Sequence, residues 1–265
     1  GWKTGQRVVI DPGISFYTDE FSRRGEDSLS PGYHVLGEHM RGGAAEYVAI
    51  PALNLTAMPE GMDFPTAAAP LLVALTTWRM LIHRAGLKAG ETLLVVGSGG
   101  GVNSMAIQVA KLAGAVVYVI AGNRNKAERA QELGADYVLD RSQVDWKREI
   151  YKLTDRRGVD VVVDNVGQAT ISVSMAAVAR GGRIVIVGNT SGPLAEVDIR
   201  YIFGKQISLI GSTMGSHQDF QEVIKLIWSG KLKPIIDRVM PLSQGKVAYG
   251  IMERGEMYGK LVLVP

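Results

Sequence analysis

The sequence predicts an α/β fold built on a doubly wound parallel sheet, and three observations predict it. A strand, a glycine-rich turn, a helix and a second strand follow one another between Glu91 and Asn125. Further short apolar runs alternate with helical patterns as far as residue 211, as in α/β proteins. Glycine accounts for 32 of the 265 residues, about 12% against a usual 7%, which suits many tight turns between strands and helices.

Composition narrows the class of protein. The net charge of +3 is small and both signs are mixed along the chain, so no nucleic-acid-binding stripe is expected. No apolar run approaches the roughly 18 residues of a membrane helix, and the first residues do not resemble a signal peptide. The chain has no cysteine, hence neither a disulfide nor a thiolate metal ligand. We therefore expect a cytoplasmic protein without a membrane or nucleic-acid partner.

The first third of the chain is expected to be irregular, with one long helix. The chain opens without an initiator methionine and runs directly into a strand, so we expect a fragment or processed chain in which that strand's partners lie upstream. The predicted order is a strand ending at residue 10, an irregular lobe over 11–37, a weak strand over 44–51, and loop and turn over 53–64. A helix over 66–85 follows; Asp63, Phe64 and Pro65 lead into it, and Gly86 ends it.

The glycine-rich turn has the properties of a phosphate-binding loop. The apolar run Leu93 to Val96 predicts a strand, Gly97 to Gly101 follow at once, and helical spacing begins at Val102. Glycines let the backbone approach a pyrophosphate, and the free N–H groups of the helix start attract it. The spacing GxGxxG is not met, because Val102 takes the final glycine position. A plain tight turn in an α/β core is the alternative.

The loop after the second strand predicts which dinucleotide is bound. NAD is usually held there by an acidic residue at the ribose, whereas the 2′-phosphate of NADP requires basic and hydrogen-bonding groups. The loop contains Gly122, Asn123, Arg124 and Lys126, and no acid precedes Glu128. This pattern predicts NADP(H) rather than NAD(H). Alternatively, the two basic residues are ordinary solvated charges at a helix start.

The remaining elements follow the same alternation. Asn165 and Val166 leave the carboxyl end of a buried strand, where ligands bind in a parallel sheet, and Asp164 is either a ligand contact or a helix cap. The predicted strands lie over 137–139, 159–163, 184–187, 207–210 and 260–264, and Gly181-Gly182 turn the chain into the third of these. The predicted helices lie over 126–133, over 145–153 and near 244–252. A further helix has an apolar face made of Phe220, Val223, Ile224, Ile227 and Trp228.

Nine ordered motifs carry a resemblance to a known family. They are GQRVV, GEH with AEYV, AAAPLL with LTTW, the glycine-turn segment, ELGADYV, GVDVVVDNVG, GGRIVIVG, GSTMGS and a terminal GKLVLV. Together they resemble the medium-chain dehydrogenase/reductase superfamily, which includes zinc-type alcohol dehydrogenases and quinone oxidoreductases. The resemblance implies a Rossmann NADP-binding domain over 74–213, an incomplete GroES-like β-rich catalytic domain over 1–73, and a return segment over 214–265.

The resemblance also implies residues that contact the cofactor. Thr76 and Val102 would touch the nicotinamide ring, and Lys260 would reach the pyrophosphate, unless it is an edge-strand charge that discourages aggregation. Gly99, Gly100 and Gly101 belong to the turn already described. Two backbone stretches would hold the carboxamide: Val187, Gly188 and Asn189, and Thr213, Met214 and Gly215.

The sequence departs from the family pattern at the zinc-binding positions and in the glycine turn. The four cysteine positions of the family's structural zinc lobe are occupied by Phe16, Asp19, Ser22 and Ser30, so no structural zinc is expected. A later catalytic-zinc cysteine would fall at Leu72, which cannot bind a metal, so no catalytic zinc is expected from this chain alone. Asn103 stands in place of the family's last turn glycine, and a wider bend is expected there.

Catalytic residues are not assigned by the sequence. The resemblance implies a substrate cleft near Glu38 and His39, and Trp78 is a further pocket candidate. The two loop residues could line the pocket, shuttle a proton or complete a metal site; alternatively, Glu38 pairs with Arg41 and His39 faces solvent. The expected activity is hydride transfer between NADP(H) and a small-molecule carbonyl or secondary alcohol. The alternatives are a zinc-free quinone or enone reductase, and a catalytically inactive cofactor-binding remnant. A homo-oligomer paired through the strand at 207–210 is a further hypothesis.

Overall fold

The computed structural model describes all 265 residues. They divide into two compact units, Gly1–Thr76 with Met214–Pro265, and Thr77–Thr213. The α-helices are α1 Glu20–Arg23, α2 Phe64–Ala68, α3 Leu71–Trp78, α4 Gly101–Leu112, α5 Arg124–Glu132, α6 Trp146–Leu153, α7 Ile171–Ala177, α8 Ile199–Lys205, α9 His217–Trp228 and α10 Gly245–Glu253. The strands are β1 Val8–Ile10, β2 Gly13–Ile14, β3 His34–Val35, β4 Leu55–Ala57, β5 Thr92–Val96, β6 Val116–Ala121, β7 Tyr137–Asp140, β8 Val159–Asp164, β9 Val178–Ile186, β10 Ser208–Gly211, β11 Ile236–Pro241 and β12 Lys260–Val264.

The unit Thr77–Thr213 contains a six-stranded parallel sheet. Its strand order is β10-β9-β8-β5-β6-β7, so the order reverses between β5 and β8. Such a reversal is the topological switch point of a Rossmann fold, and right-handed crossovers on its two sides place helices on both faces. The predicted fold class is therefore confirmed for this unit.

The core of this unit comes from the apolar runs of the sequence. Leu94 and Val96 of β5, Ile120 of β6 and Val162 of β8 are almost fully buried and pack in one cluster with Met175 of α7. Strands buried on both faces read as continuous apolar runs, which is the pattern that predicted them. The core therefore follows directly from the sequence.

Two boundaries in this unit differ from prediction. Helix α5 begins at Arg124, two residues early, because the Asn123 side chain accepts the Lys126 N–H at 2.9 Å and caps it. Strand β9 begins at Val178, so Gly181 and Gly182 lie inside it rather than in a preceding turn. A Cβ on Gly182 would lie 2.8 Å from the Asp160 carbonyl oxygen, which explains a glycine within this strand.

The other unit has three two-stranded sheets: β1 with β4 and β2 with β3, both antiparallel, and β11 with β12, parallel. Within this chain β1 pairs with β4, which comes later in the sequence, so the expectation of plain loop and turn over 53–64 was wrong. The weak strand expected over 44–51 is also absent. No strand of this chain pairs with that segment, and an unpaired extended segment is not a strand.

The long helical segment Phe64–Arg84 is the one that passes a length and hydropathy test for crossing a membrane, contrary to the expectation that none would. Asp63 caps it by accepting the Thr66 N–H at 2.8 Å. Its last six residues, Arg79–Arg84, form a π-helical turn before Gly86. Of its apolar window, 61% is buried inside the fold, as in core helices of soluble proteins.

Candidate nicotinamide-cofactor site

The glycine turn lies at the carboxyl end of β5, beside the switch point. Gly97 has a φ of +90°, which a side chain would strain, and Gly100 is the N-cap of α4 without any side-chain capping bond. The first N–H groups of α4 are therefore not satisfied by a cap and are available to an anion. The candidate residues Gly99, Gly100, Gly101 and Val102 all lie in this turn or in the first turn of α4.

Lys126 extends from α5 back over the glycine turn. A Cβ placed on Gly99 would lie 3.2 Å from both Cε and Nζ of Lys126, so the absence of a side chain at Gly99 makes room for the lysine. The Ser98 hydroxyl also donates to the Lys126 carbonyl oxygen at 3.2 Å. The loop after β6 and the glycine turn are thus held together, with the half-buried Lys126 at their junction.

The other basic residue of the predicted pair has a partner of its own. The Arg124 guanidinium is exposed and forms an ion pair with Glu128 at 2.9 Å, one helical turn further along α5. Arg141, which sequence reasoning missed, lies beside Gly122: a Cβ on Gly122 would be 3.9 Å from the Arg141 Nε. Arg141 follows β7, whose last residue pairs with the last residue of β6. The neighbouring carboxyl ends of parallel strands could have signalled it.

Asp164 is buried and holds the loop after β8 in place by hydrogen bonds, so it is not a surface group that contacts a ligand. Its carboxylate is fully buried and accepts hydrogen bonds from the Val166 and Gly167 N–H groups, both at 3.1 Å. The Thr170 and Ser174 hydroxyls donate to it at 2.7 and 2.6 Å. Because its lone pairs are occupied by the loop and by α7, Asp164 shapes the loop that carries Asn165 and Val166. It does not itself cap α7, whose N-cap is Thr170.

Asn165 occupies the switch point through its side chain. Its Nδ2 donates to the Asn103 Oδ1 at 2.9 Å, and its Oδ1 accepts the Val187 N–H at 3.0 Å. The loop after β9 packs closely on the same residue, since a Cβ on Gly188 would lie 3.4 Å from the Asn165 carbonyl oxygen. Asn189 is exposed at the rim of this loop. The structure therefore brings the predicted residues Asn165, Val187 and Gly188 together.

Three predicted residues of the other unit lie close to one another. Thr76 and Met214 are both buried; the Thr76 hydroxyl donates to the Leu72 carbonyl oxygen at 2.9 Å and lies 3.8 Å from the Met214 sulfur. Gly215 is packed so tightly that a Cβ would lie 2.4 Å from Cδ1 of Leu75. Thr213 is exposed at the end of its own unit.

Lys260 starts β12 and lines an apolar cavity of about 320 Å³. The ammonium has neither an ion pair nor a hydrogen bond within this chain, and burial lowers the pKa of Lys260. The cavity is also lined by Val8, Ile10, Leu36, Phe64 and Leu72. An unpaired cation that is partly removed from water is costly, so a negatively charged ligand group would relieve it.

The pocket candidates belong to different units, Glu38 and His39 to one and Trp78 to the other. Glu38 and His39 are both exposed, and the His39 Nδ1 accepts the Val35 N–H at 3.0 Å. The His39 ring also meets the His34 ring edge-on, with centroids 6.0 Å apart. Trp78 is half-buried at the end of α3.

Three of the four residues at the cysteine positions of the family's zinc lobe form a hydrogen-bonded cluster. The Ser30 hydroxyl donates to Asp19, whose carboxylate also accepts the Ser22 N–H at 3.0 Å and caps α1. These hydrogen bonds, that from Ser30 above all, hold the pKa of Asp19 below its usual range. Phe16 lies outside the cluster, 58% exposed. Two hydroxyls and a carboxylate that satisfy one another do not fit a tetrahedral zinc, and neither does Leu72.

Comparison with known proteins covers the whole chain. The family model described as zinc-binding dehydrogenase matches residues 101–229. The chain is 33% identical to an NAD-dependent alcohol dehydrogenase of Saccharolobus solfataricus, over all of this chain and 76% of that enzyme. It is 29% identical to a crotonyl-CoA reductase of Streptomyces avermitilis, over all of this chain and 64% of that enzyme. A crystal structure of an NAD-dependent alcohol dehydrogenase matches it with a TM-score of 0.96 and 39% identity, over all of this chain and 77% of the other.

A Rossmann sheet with a glycine turn at its switch point, together with these likenesses, defines a nicotinamide-dependent oxidoreductase. The chain belongs to the medium-chain dehydrogenase/reductase superfamily, as the sequence motifs predict. Within it, the protein is an NAD(P)-dependent oxidoreductase of the alcohol dehydrogenase type.

Proposed function

We propose that the protein is an NADP(H)-dependent alcohol dehydrogenase or ketone reductase, which transfers hydride between the nicotinamide and a carbonyl or secondary alcohol. One observation carries the choice of NADP(H): the carboxyl end of β6 has no carboxylate before Glu128 and is bordered by Lys126 and Arg141. A 2′-phosphate needs such cationic donors, whereas the ribose of NAD is usually held by an acid. The proposal differs from the names of the similar dehydrogenases, which are NAD-dependent.

Lys126 and Arg141 have different geometric roles in this proposal. Lys126 lies over Gly99 and offers a compact point charge between the pyrophosphate turn and the ribose. Arg141 lies beside Gly122 and presents a planar fork that suits bidentate binding of phosphate. Arg124 can also contribute, but it would first have to leave Glu128. Asn123 caps α5 with its oxygen and retains its amide N–H groups as donors.

The remaining cofactor contacts follow from the positions of backbone groups. The free N–H groups at the start of α4 are suited to the pyrophosphate. Because the Val187 N–H already donates to Asn165, its carbonyl is the group left for the nicotinamide carboxamide, with Gly188 and Asn189 following it. By resemblance, Thr76, Val102, Asn165, Val166, Thr213, Met214, Gly215 and Lys260 also remain assigned to the cofactor.

The bound cofactor would supply the hydride, and the chain's own residues would hold its ring against the substrate and exclude water. Thr76 is buried with its hydroxyl engaged, so it would act as a packing surface for the ring rather than a proton donor. We assign no proton-transferring residue, and Glu38, His39 and Trp78 remain candidates for the substrate pocket only. We also propose that the lobe holds no structural zinc and that Leu72 leaves this chain without the usual catalytic zinc.

A zinc-free enone or quinone reductase is the second candidate function. It is favoured by the lack of cysteine and by the similarity over the whole chain to a crotonyl-CoA reductase, an enzyme named for an unsaturated thioester. Oxidation of NADPH with cyclohexanone, a quinone and an enoyl thioester, each with and without a chelator, separates the two. Turnover of the ketone that the chelator abolishes would contradict the zinc-free alternative.

The test of the cofactor is a pair of fluorescence titrations with NADPH and NADH. We expect NADPH to bind at least about tenfold more tightly, the size of one or two charge-assisted hydrogen bonds. Asn123→Asp is the sharpest variant, because aspartate caps a helix as well as asparagine, so the fold is kept while the amide donors are replaced by a negative charge. It should weaken NADPH binding about tenfold and leave NADH binding unchanged or tighter, since an acid at this loop can hold the ribose of NAD.

Arg141→Ala and Lys126→Ala should likewise reduce the preference for NADPH. Arg148→Ala serves as the matched control, since Arg148 is an exposed arginine paired with Asp145 at the start of another helix. It should change neither dissociation constant. Tighter binding of NADH by the unmodified protein would overturn the proposal.

We also propose that the protein is a cytoplasmic homo-oligomer. Strand β10 pairs with β9 on one side and leaves its other edge unpaired. Large apolar side chains are exposed on this strand and on the segment before it: Leu194, Ile199, Phe203 and Leu209. An unpaired strand edge with exposed apolar neighbours favours pairing with a second copy.

A further inference from the structure

Asn103 takes the place of the last glycine in the dinucleotide turn, and its side chain is almost completely buried, at 8% exposure. Its Nδ2 donates to two carbonyl oxygens at the end of β5, that of Val96 at 3.0 Å and that of Gly97 at 3.1 Å. A glycine at this position usually allows close packing of helix on strand. Here an amide instead ties the start of α4 to the peptide on which the turn begins.

The hydrogen bonds continue across the switch point in one direction. The Val187 N–H can only donate, so the Asn165 atom that receives it must be the oxygen, and the Asn165 Nδ2 then donates to Asn103 Oδ1. The Asn103 Nδ2 is therefore free to serve the two carbonyls, which can only accept. We call this chain, from Val187 through Asn165 and Asn103 to Val96 and Gly97, the amide relay. It joins the carboxyl ends of β9, β8 and β5.

We propose that Asn103 is a positioning residue for the nicotinamide cofactor and acts through the amide relay. At one end the relay fixes the Gly97 carbonyl, and with it the peptide plane that begins the phosphate-binding turn. At the other end it fixes the Val187 peptide, whose carbonyl is the group left to face the carboxamide. The inference builds on the proposed function, since it assigns how the same site is held in shape.

The relay predicts a signature that differs from that of the basic residues. It orients groups that face parts of the cofactor common to NADP and NAD, so its loss should weaken both coenzymes by the same factor. Lys126 and Arg141 face the 2′-phosphate in the proposal, so their loss should change the ratio between the two. The two sets of residues can therefore be separated by one pair of titrations.

The key variant is Asn103→Gly, which restores the usual glycine and removes the relay. If Asn103 were only a tolerated substitution, this change would leave coenzyme binding unchanged or improve it. We expect instead that the dissociation constants of NADPH and NADH both rise by about tenfold, the effect of one lost buried hydrogen bond. Asn103→Asp should be worse than Asn103→Ala, because it places a carboxylate oxygen against two carbonyl oxygens.

The double variant Asn103→Ala with Asn165→Ala tests whether the two side chains act as one unit. If the two side chains act as one relay, the double variant should bind each coenzyme no more weakly than whichever single variant binds it less tightly. Should Asn103→Ala fail to fold, Asn165→Ala carries the same test, because it leaves the Val96 and Gly97 carbonyls satisfied by Asn103.

Asn54→Ala is the matched control. Asn54 is also a buried amide that bridges two backbone carbonyls, those of Asp11 at 3.1 Å and Gly13 at 2.7 Å, in the other unit. Its loss should lower the melting temperature without changing either dissociation constant. Relay variants that lose stability but bind both coenzymes normally would overturn the inference. Failure of the unmodified protein to bind either coenzyme would instead overturn the proposed function.

Discussion

At the scale of single residues, Lys260 combines a structural cost with a proposed use. Lys260 lines an apolar cavity and its ammonium has no hydrogen bond or ion pair, and burial lowers its pKa because the charged form loses hydration. Because the unpaired ammonium of Lys260 does not stabilise the fold, its position suits the binding of an anion. Stability and ligand binding should therefore respond in opposite directions to its removal.

Lys260→Met is expected to raise the melting temperature by about 2–4 °C at pH 7. The sign follows from the lowered pKa of Lys260, because the charged lysine is less favourable in the folded state than in the unfolded state. The unfolding free energy of the unmodified protein therefore increases as the pH rises from the folded pKa of Lys260 to its unfolded pKa. The methionine variant should lack that gain. NADPH affinity should fall if the ammonium holds the pyrophosphate, while the exposed Lys246→Met should change neither quantity. Thermal unfolding and coenzyme titration measure both; a destabilised variant would contradict the account of the cavity.

At the scale of elements, the start of α9 is bound to the lobe by two carboxylates. The His217 Nδ1 donates to the buried carboxylate of Asp11 at 3.1 Å, and the His217 backbone N–H donates to Asp27 at 3.0 Å. The hydrogen bond to Asp11 raises the pKa of His217, and burial raises the pKa of Asp11. Both carboxylates also raise the pKa of the neighbouring Tyr17, after burial, which is the larger cause.

The free energy of unfolding should fall as the pH rises through the pKa of His217. A folded pKa above the unfolded value of about 6.5 means that the stabilisation is complete below that value and is lost above the folded pKa. Each pKa unit between the folded and unfolded states corresponds to about 1.4 kcal/mol of unfolding free energy. The raised pKa of Asp11 acts in the same direction at lower pH. Urea unfolding between pH 6 and 9 should show this fall.

His217→Gln retains a donor to Asp11 without a charge, so its unfolding free energy should be flat over the same range. Asp11→Asn should flatten it as well. A fall that persists in both variants would assign the pH dependence to other groups.

At the scale of the whole molecule, the open edge of the sheet is the feature that bears on assembly. Phe203 of α8 is 69% exposed and Ile199 is 67% exposed, beside an edge strand that pairs on one side only. Exposed apolar side chains of this size are unusual together on a monomer. They are consistent with the proposed homo-oligomer.

Phe203→Glu is expected to convert the oligomer to a monomer while leaving the fold intact, because a charge would have to be buried at the interface. Sedimentation velocity measures the change and circular dichroism checks the fold. Tyr47→Glu is the control, since Tyr47 is 92% exposed and lies outside the sheet. If the unmodified protein already sediments as a monomer, the edge has no such role.

The prediction from sequence succeeded where the signal was local. The turn at Gly97 and the helix after it lie within a few residues of each other, and a buried parallel strand shows itself as an apolar run. It failed where a segment's partner is distant: β1 pairs with β4 across some fifty residues of chain, and the weak strand over 44–51 finds no partner.

The same division holds for the candidate site. The sequence by itself determined the Rossmann architecture, the glycine turn and a carboxylate-free loop after β6, because each depends on residue types at short spacing. Only the tertiary structure decided that Arg141 lies beside Gly122, that Arg124 pairs with Glu128, and that Asn103, Asn165 and Val187 form one relay. The physical reason is that the parallel register aligns the carboxyl ends of strands far apart in sequence, and side-chain hydrogen bonds across those ends have no periodicity for a sequence to display.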